Sequence, residues 1–139
     1  MSAGQREMAE LSMEESLRLL GSISLGRVVF THRALPAVRP VNHFIDNGDI
    51  IIRTNAEAAV VAAVDPVRGV VVAYEADIID PDTHEGWCVI VTGTAHLVRD
   101  PDEVDRYLRM PQTWVKGTRD QPIRIHPEIV TGFRLDGAQ

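Results

Sequence analysis

The sequence has only one cysteine, Cys88, and only one lysine, Lys116. A lone cysteine excludes an internal disulfide and agrees with a reducing compartment. No apolar run approaches the roughly 20 residues that a membrane-spanning helix needs. Residues 1–10 are polar and of mixed charge, without the basic and then apolar pattern of a signal peptide. We therefore expect a cytoplasmic protein with no membrane partner.

The chain also lacks a basic stripe. Its formal net charge is −6, with 20 acidic residues against 14 basic ones. Because nucleic-acid affinity depends on neutralising phosphates, this balance argues against a nucleic-acid partner. Nearly all the basic residues are arginines, whose planar guanidinium groups suit phosphate and carboxylate. The histidines have no metal-ligand spacing, and no nucleophile, base and orienting residue form a recognisable set.

What is present is typical of one globular domain. Apolar residues make up 45% of the 139 residues and charged residues 24%. A chain of this size suits a single hydrophobic core. We expect a flexible arm over residues 1–10 and one domain over residues 11–139.

Helix starts are indicated by three capping boxes, in which a hydroxyl or carboxylate is followed three residues later by glutamate. The three pairs are Ser12 with Glu15, Thr54 with Glu57, and Asp100 with Glu103. The second box predicts a helix over Ala56–Val64, which is apolar nearly all round and therefore buried.

Strand-like runs lie between these helices, at residues 26–32, 37–46, 49–54, 69–79, 87–99 and 123–135. Asn47-Gly48 predicts a two-residue hairpin, and the preceding turn is expected at Leu35 and Pro36. Pro40 lacks an amide hydrogen, which predicts a bulge or an unpaired position there. The order predicts an α+β fold with an antiparallel closed sheet of about six strands. The half-apolar long strands predict an outer surface covered in a homodimer.

Five segments occur in order along the chain: Leu25-Gly26-Arg27-Val28, Arg39-Pro40-Val41-Asn42, Ile52-Arg53-Thr54, Gly86-Trp87-Cys88-Val89-Ile90-Val91-Thr92-Gly93, and Arg124-Ile125-His126-Pro127-Glu128-Ile129-Val130-Thr131-Gly132. As an ordered set they resemble the pyridoxamine 5′-phosphate oxidase-like, FMN-binding split-barrel proteins. The resemblance runs from Leu11 to Leu135, nearly the whole chain.

The resemblance implies a homodimer with two flavins at the subunit interface. The strand that carries Arg39–Asn42 then lies along the isoalloxazine, and the strand end at Arg53–Thr54 approaches the phosphate. The segment at Trp87 lies beside the flavin, while Trp114 and Arg124 come from the partner subunit. The implied cofactor-binding residues are Arg39, Pro40, Val41, Asn42, Arg53, Thr54, Trp87, Trp114 and Arg124.

The sequence departs from these relatives where many of them carry serine and lysine in the first turn of the second helix. Ala58 and Ala59 stand at those positions, and Glu57 adds a negative charge. A phosphate about 4 Å from that carboxylate costs on the order of 1–4 kcal/mol, depending on the effective dielectric. The ligand is therefore bound weakly, is a different one, or is absent.

The residues themselves leave structural alternatives open. Arg53 and Thr54 suit a helix cap with an exposed arginine equally well. Asn42 suits an edge-strand amide, and Arg124 a surface ion pair. Trp87 shares a strand face with Val89 and Val91, which favours core packing. Cys88 lies within a strand and is expected to be a buried, inert thiol.

Three functions follow from these considerations. The first is an FMN-dependent oxidoreductase acting on an unidentified small molecule, with no catalytic residue that can be named. The second is a non-catalytic flavin, deazaflavin or haem carrier on the same fold. The third is a dimer without a ligand. The fold alone does not choose among them, because related folds host many functions.

Overall fold

The computed structural model describes residues 8–110 and 120–136. The strands in these ranges are β1 (Met8–Leu11), β2 (Leu25–His32), β3 (Leu35–Asp46), β4 (Asp49–Asn55), β5 (Val70–Ile79), β6 (Gly86–Leu97) and β7 (Asp120–Leu135). The helices are α1 (Met13–Gly21), α2 (Ala59–Ala63) and α3 (Pro101–Leu108). None of these helices has the length and apolar character that a membrane crossing requires.

The sheet closes on itself, which confirms the predicted antiparallel split barrel. Its strand order is β1-β7-β4-β3-β2-β5-β6, and β6 pairs back onto β7. Closure is possible because β7 has 16 residues, so that one strand contacts both β4 and β6. Strand β1 adds to the far end of β7 and contains residues 8–10 of the expected arm, while residues 1–7 lie outside the described part.

Side chains alternate across the barrel wall, and the inward ones form the main core. The largest fully buried members include Tyr74, Leu20, Ile50, Ile52, Ile125, Val28 and Val89. Trp87 is 8% exposed within this cluster, alongside Val89 and Val91, which confirms core packing for this tryptophan. Helix α1 closes one end of the barrel with Leu19 and Leu20.

A second, smaller apolar cluster lies on the outer wall of the barrel. Ile51 points outward from β4, since its neighbours Ile50 and Ile52 belong to the main core. It packs with Val98 and Tyr107, and Phe44 of β3 lies edge-on to the Tyr107 ring. Helix α3 therefore covers the outer faces of β3 and β4.

The local signals for two helices and one hairpin are confirmed. Ser12 Oγ accepts from the Glu15 amide, and Asp100 Oδ2 accepts from the Glu103 amide, each at 3.1 Å. Asn47 and Gly48 have φ values of 50° and 81°, as a type I′ turn requires. This turn pairs the last residue of β3 with the first residue of β4.

The predicted start of α2 was wrong. Thr54 belongs to β4, and the helix begins at Ala59 after Ala58, which makes no side-chain cap. The Asn55 Oδ1 atom accepts from the Glu57 amide at 2.8 Å. This Asx turn competes with helix formation, so the chain enters the helix later than the capping pattern predicts.

Of the two alternatives at Pro40, the structure has the partly unpaired position and no bulge, whereas the predicted turn at Leu35 and Pro36 was wrong. The β2–β3 pairing is continuous from Leu25↔Asn42 to His32↔Leu35. Strand β4 pairs with β3 only from Asn42 onward, so Pro40 has a strand neighbour on one side. Such an edge position tolerates proline without a bulge. The turn itself uses Arg33 and Ala34, whose φ values are 52° and 65°.

Candidate functional site

Strand register sorts the predicted site residues onto two sides of the barrel wall. Val41 points into the core and is 8% exposed, so Pro40 and Asn42 point outward. Asn42 is directly opposite Arg53 in the β3–β4 pairing, which puts these two side chains on the same outer face. Arg39 lies on the same strand face as the inward Val41, but it is near the end of the barrel and is exposed.

A cleft of about 640 Å³ opens on this outer side, between the α1–β2 connection and the end of α3. Most of its wall is apolar, with a few polar groups at the edge, a composition typical of small-molecule sites. The apolar lining residues are Ile23, Leu25, Pro40, Phe44, Ile78 and Met110. Of the predicted site residues that the structure describes, Pro40 alone lines the cleft.

The polar side of the cleft is formed by Arg27 and Asp77. Arg27 is more than half exposed and donates to Glu75 Oε1 at 3.1 Å, with Asp77 Oδ2 at 3.8 Å. Partial burial and the neighbouring Asp77 carboxylate raise the pKa of Glu75. Sequence reasoning missed this group, although Glu75 and Asp77 stand two apart on one strand and therefore share a face.

Cys88 faces the same carboxylates, because it is directly opposite Asp77 in the β5–β6 pairing. Partial burial and the nearby Glu75 raise the pKa of the Cys88 thiol to about 11. The thiol is half-buried rather than fully buried, and it stays protonated at neutral pH. This agrees with the inert thiol expected from the sequence.

Arg53 is buried and bonded within the protein, so it is not the exposed arginine of the helix-cap alternative. Its Nη2 donates to Asp120 Oδ2 at 2.7 Å, and its Nη1 donates to the Met110 carbonyl at 2.6 Å. The side chains of Arg53 and Asp120 are each 8% exposed. Arg53 thus stands behind the cleft wall that Met110 contributes, with its guanidinium on a carboxylate of this chain.

Thr54 and the start of α2 contribute little that could hold an anion. Thr54 alternates with Arg53 and points to the inner side of the wall. Ala58 and Ala59 present methyl groups at the start of a helix of only five residues. The first turn of this helix therefore has no side-chain donor that could bind an anion together with Arg53.

Arg124 forms a surface network in this chain, which was one of the two alternatives from its sequence. Its Nη2 donates to Glu103 Oε2 at 2.6 Å and to the Tyr107 hydroxyl at 2.7 Å. The Tyr107 hydroxyl in turn donates to Asp46 Oδ2. The network fastens α3 onto the outer wall. Trp114, the remaining predicted site residue, lies outside the described residues.

His43 also lines the cleft, but both ring nitrogens are engaged inside the barrel. The Nε2 atom lies 2.8 Å from the Leu20 carbonyl, which can only accept, so Nε2 carries the hydrogen. The Tyr74 hydroxyl then donates to Nδ1. Burial lowers the pKa of His43, which keeps the ring neutral. His43 is therefore a structural residue behind the cleft.

The comparisons with known proteins agree with this architecture. A family model described as pyridoxamine 5′-phosphate oxidase matches residues 12–134. The uncharacterised protein Rv0080 of Mycobacterium tuberculosis is 52% identical over 132 residues, which cover 94% of this chain and 87% of that protein.

Two solved structures share both the fold and recognisable sequence. An FAD-binding protein from Mycobacterium smegmatis superposes with a TM-score of 0.77 at 31% identity, covering 92% of this chain and 98% of that one. The conserved protein DIP1874 from Corynebacterium diphtheriae, of unknown function, gives a TM-score of 0.73 at 26% identity, covering 91% and 97%. With the family match over nearly its full length, the chain belongs to the pyridoxamine 5′-phosphate oxidase family.

Proposed function

We propose that this protein binds a flavin in the outer cleft and acts as a flavin-dependent oxidoreductase on a small molecule in the cytoplasm. The observation that carries the proposal is the cleft itself, about 640 Å³ in volume and largely apolar, beside the strand that contains Pro40 and Asn42. Family membership and the FAD-binding relative at 31% identity support the choice of ligand.

Residues of the cleft suit a planar ring. Leu25, Pro40 and Met110 provide apolar surface against which an isoalloxazine packs. Asn42 lies on the same outer face as Pro40 and offers an amide to a ring edge. When bound, the flavin supplies the ability to accept and return a hydride or single electrons. The chain positions the ring and excludes water from one of its faces.

We also propose that two copies of the chain assemble through the outer face of β5, β6 and β7. Val71 and Ile129 are each more than 60% exposed there, and Ile90 is 40% exposed. Thr92 is directly opposite Ile129, and Thr94 is directly opposite Val71, whereas the charged Glu75 lies opposite Ile90. Asp77 links this surface to the cleft, because it points outward, next to the inward Ala76, and lines the cleft at the end of β5. A second copy covers the apolar face and adds a wall to each site.

The purified protein tests the ligand directly. We expect the two absorption bands of oxidised flavin, and release of a flavin detected by mass spectrometry. A Soret band favours the haem carrier instead, and a colourless protein that binds only deazaflavin favours that coenzyme. A colourless protein that binds none of these ligands rules out the proposal.

Turnover separates an oxidoreductase from a carrier. Both ring nitrogens of His43 are bonded inside the barrel, so this cleft histidine has no open nitrogen for proton transfer, which favours a carrier as the second candidate. Flavin bleaching by a reduced nicotinamide, followed by reoxidation with an added acceptor, supports the enzyme. A bound flavin that no nicotinamide donor reduces supports the carrier.

The assembly has its own test in sedimentation. Ile129→Glu places a carboxylate in the centre of the proposed interface and should shift the protein from dimer to monomer. Val67→Glu is the matched control, because Val67 is 86% exposed and lies outside these strands. A wild-type protein that sediments as a monomer contradicts the dimer.

A further inference from the structure

We propose that Asp120 occupies the place a ligand phosphate needs beside Arg53, so that this protein binds its flavin without a phosphate contact to Arg53. The proposal rests on the proposed flavin site and narrows its specificity. Arg53 is the arginine that the family resemblance assigns to the phosphate, and its two terminal nitrogens point to atoms of this chain.

The distances show that Asp120 acts as an internal anion. Its Oδ2 atom lies 2.7 Å from Arg53 Nη2, the separation at which a phosphate oxygen binds a guanidinium. Both side chains are 8% exposed, so the pair is withdrawn from solvent. A phosphate oxygen at this position has to replace the Asp120 carboxylate oxygen, because the two cannot occupy the same place beside Nη2.

Electrostatic repulsion also disfavours a phosphate that binds next to the intact Arg53–Asp120 pair. Arg53 carries one positive charge, which Asp120 already balances at contact distance. A phosphate brought next to this pair meets the Asp120 carboxylate in a buried setting, where repulsion between like charges is weakly screened. The net attraction that an unpaired arginine exerts on a phosphate is therefore absent.

The neighbouring helix offers no substitute. Helix α2 starts after Ala58, which makes no side-chain cap, and Ala59 follows it. The first turn contains no acidic and no basic residue, and the helix has five residues in all. Neither a hydroxyl nor an ammonium group compensates for an arginine that is already paired.

A comparison of FMN with riboflavin tests the specificity in the wild-type protein, since the two differ only in the phosphate. A phosphate held by an arginine strengthens binding by about tenfold or more. We expect dissociation constants within about threefold of each other, because the ring alone is recognised. FMN binding tenfold tighter, with that preference lost in Arg53→Gln, overturns the proposal.

Chemical rescue tests the position of Asp120 without any flavin. Asp120→Ala removes the carboxylate and leaves a space beside the Arg53 guanidinium. Inorganic phosphate should then raise the melting temperature of this variant well above its value in chloride of equal ionic strength. The wild-type protein should show no such difference. FMN should likewise bind Asp120→Ala about tenfold more tightly than riboflavin does.

Asp120→Asn is the matched control, because the amide fills the space without the charge. Phosphate should not stabilise it. If Asp120→Ala folds only when phosphate is present, that folding is itself the rescue. The proposal fails if neither Asp120→Ala nor Asp120→Ser responds to phosphate.

Failure of this proposal and failure of the flavin site are distinguishable. If the protein binds no flavin but its Asp120→Ala variant responds to phosphate, the proposed role of Asp120 is supported and the proposed flavin site is rejected. If the protein binds flavin and prefers FMN in a way that depends on Arg53, the flavin site is supported and the proposed role of Asp120 is rejected. Absence of both flavin binding and phosphate rescue overturns both.

Discussion

Arg53 of β4 and Asp120 at the start of β7 form a buried ion pair with a nitrogen–oxygen distance of 2.7 Å. The same guanidinium also holds the Met110 carbonyl beyond the end of α3. One side chain thereby joins a barrel strand, the residue after α3 and the first residue of the closing strand. Its sequence context alone is consistent with a helix cap or a ligand contact.

Breaking this pair from one side should be costly. Arg53→Met leaves the Asp120 carboxylate buried without the arginine, and we expect a loss of about 3–5 kcal/mol in the free energy of unfolding. Urea titration measures the change. The control is Arg39→Met, because Arg39 is exposed and, among the described residues, donates only to the carbonyl of its neighbour Val38.

The double variant Arg53→Met/Asp120→Leu completes that test. Removing both charges avoids the unpaired carboxylate, so we expect it to be more stable than Arg53→Met alone. A single variant as stable as the Arg39→Met control would show that the pair contributes nothing to the fold.

Acid should weaken the fold through His43. Burial lowers its pKa in the folded protein, so the unfolded chain takes up a proton first as the pH falls. The stability contributed by the neutral ring is fully present above the unfolded pKa of about 6.5 and decreases as the pH falls below it. His43→Gln should have a shallower decrease in unfolding free energy across this range. An unchanged slope contradicts the assignment.

Tyr74→Phe separates the hydrogen bond from the titration. The variant leaves the His43 Nδ1 acceptor without its buried donor, which should lower stability by about 1–3 kcal/mol at neutral pH. The titratable ring is still present, so stability should still fall in acid. Circular dichroism during urea titration measures both quantities, and a variant as stable as wild type excludes a role for the hydroxyl.

The apolar wall of the cleft should matter for flavin affinity. Leu25 lines the cleft and is 38% exposed. Leu25→Ala removes apolar surface from the ring contact, and we expect flavin binding weaker by about three- to tenfold. Fluorescence titration measures the affinity. Val67→Ala removes methyl groups outside the cleft and should bind flavin as the wild type does.

The Cys88 thiol should alkylate slowly in the native protein. Its pKa is raised to about 11, mainly by burial and to a smaller extent by Glu75, so little thiolate is present at neutral pH. The rate with iodoacetamide should rise steeply as the pH approaches that value. Glu75→Gln removes the nearby charge and should speed the reaction, with denatured protein as the reference for a fully accessible thiol. Rapid alkylation of native wild type at neutral pH is the contrary result.

Local sequence signals predicted the structure correctly where the interacting groups lie within one turn of the chain. Ser12 and Asp100 cap their helices because each side chain reaches an amide three residues on. Asn47-Gly48 forms its hairpin because these residues tolerate positive φ. The predicted capping box at Thr54 does not form, because the Glu57 amide donates to the nearer Asn55 side chain instead.

Contacts between distant parts of the chain could not be predicted in this way. His43 and Tyr74 are 31 residues apart, and Arg53 and Asp120 are 67 apart. Alternation along a strand indicates which side chains share a face, yet it does not indicate which strand lies beside it. The predicted site set therefore divided between two faces, and Pro40 reached the cleft while Val41 entered the core.

The order of strands and short helices, and with it the barrel class, was determined by the sequence alone, because periodicity and turn residues act over a few neighbours. Family membership was likewise readable from the ordered segments between Leu25 and Gly132. Only the tertiary structure decided what each arginine holds. Strand register brings carboxylates to Arg27, Arg53 and Arg124 from other strands and from helix α3, and each arginine pairs with the carboxylate that the fold places beside it.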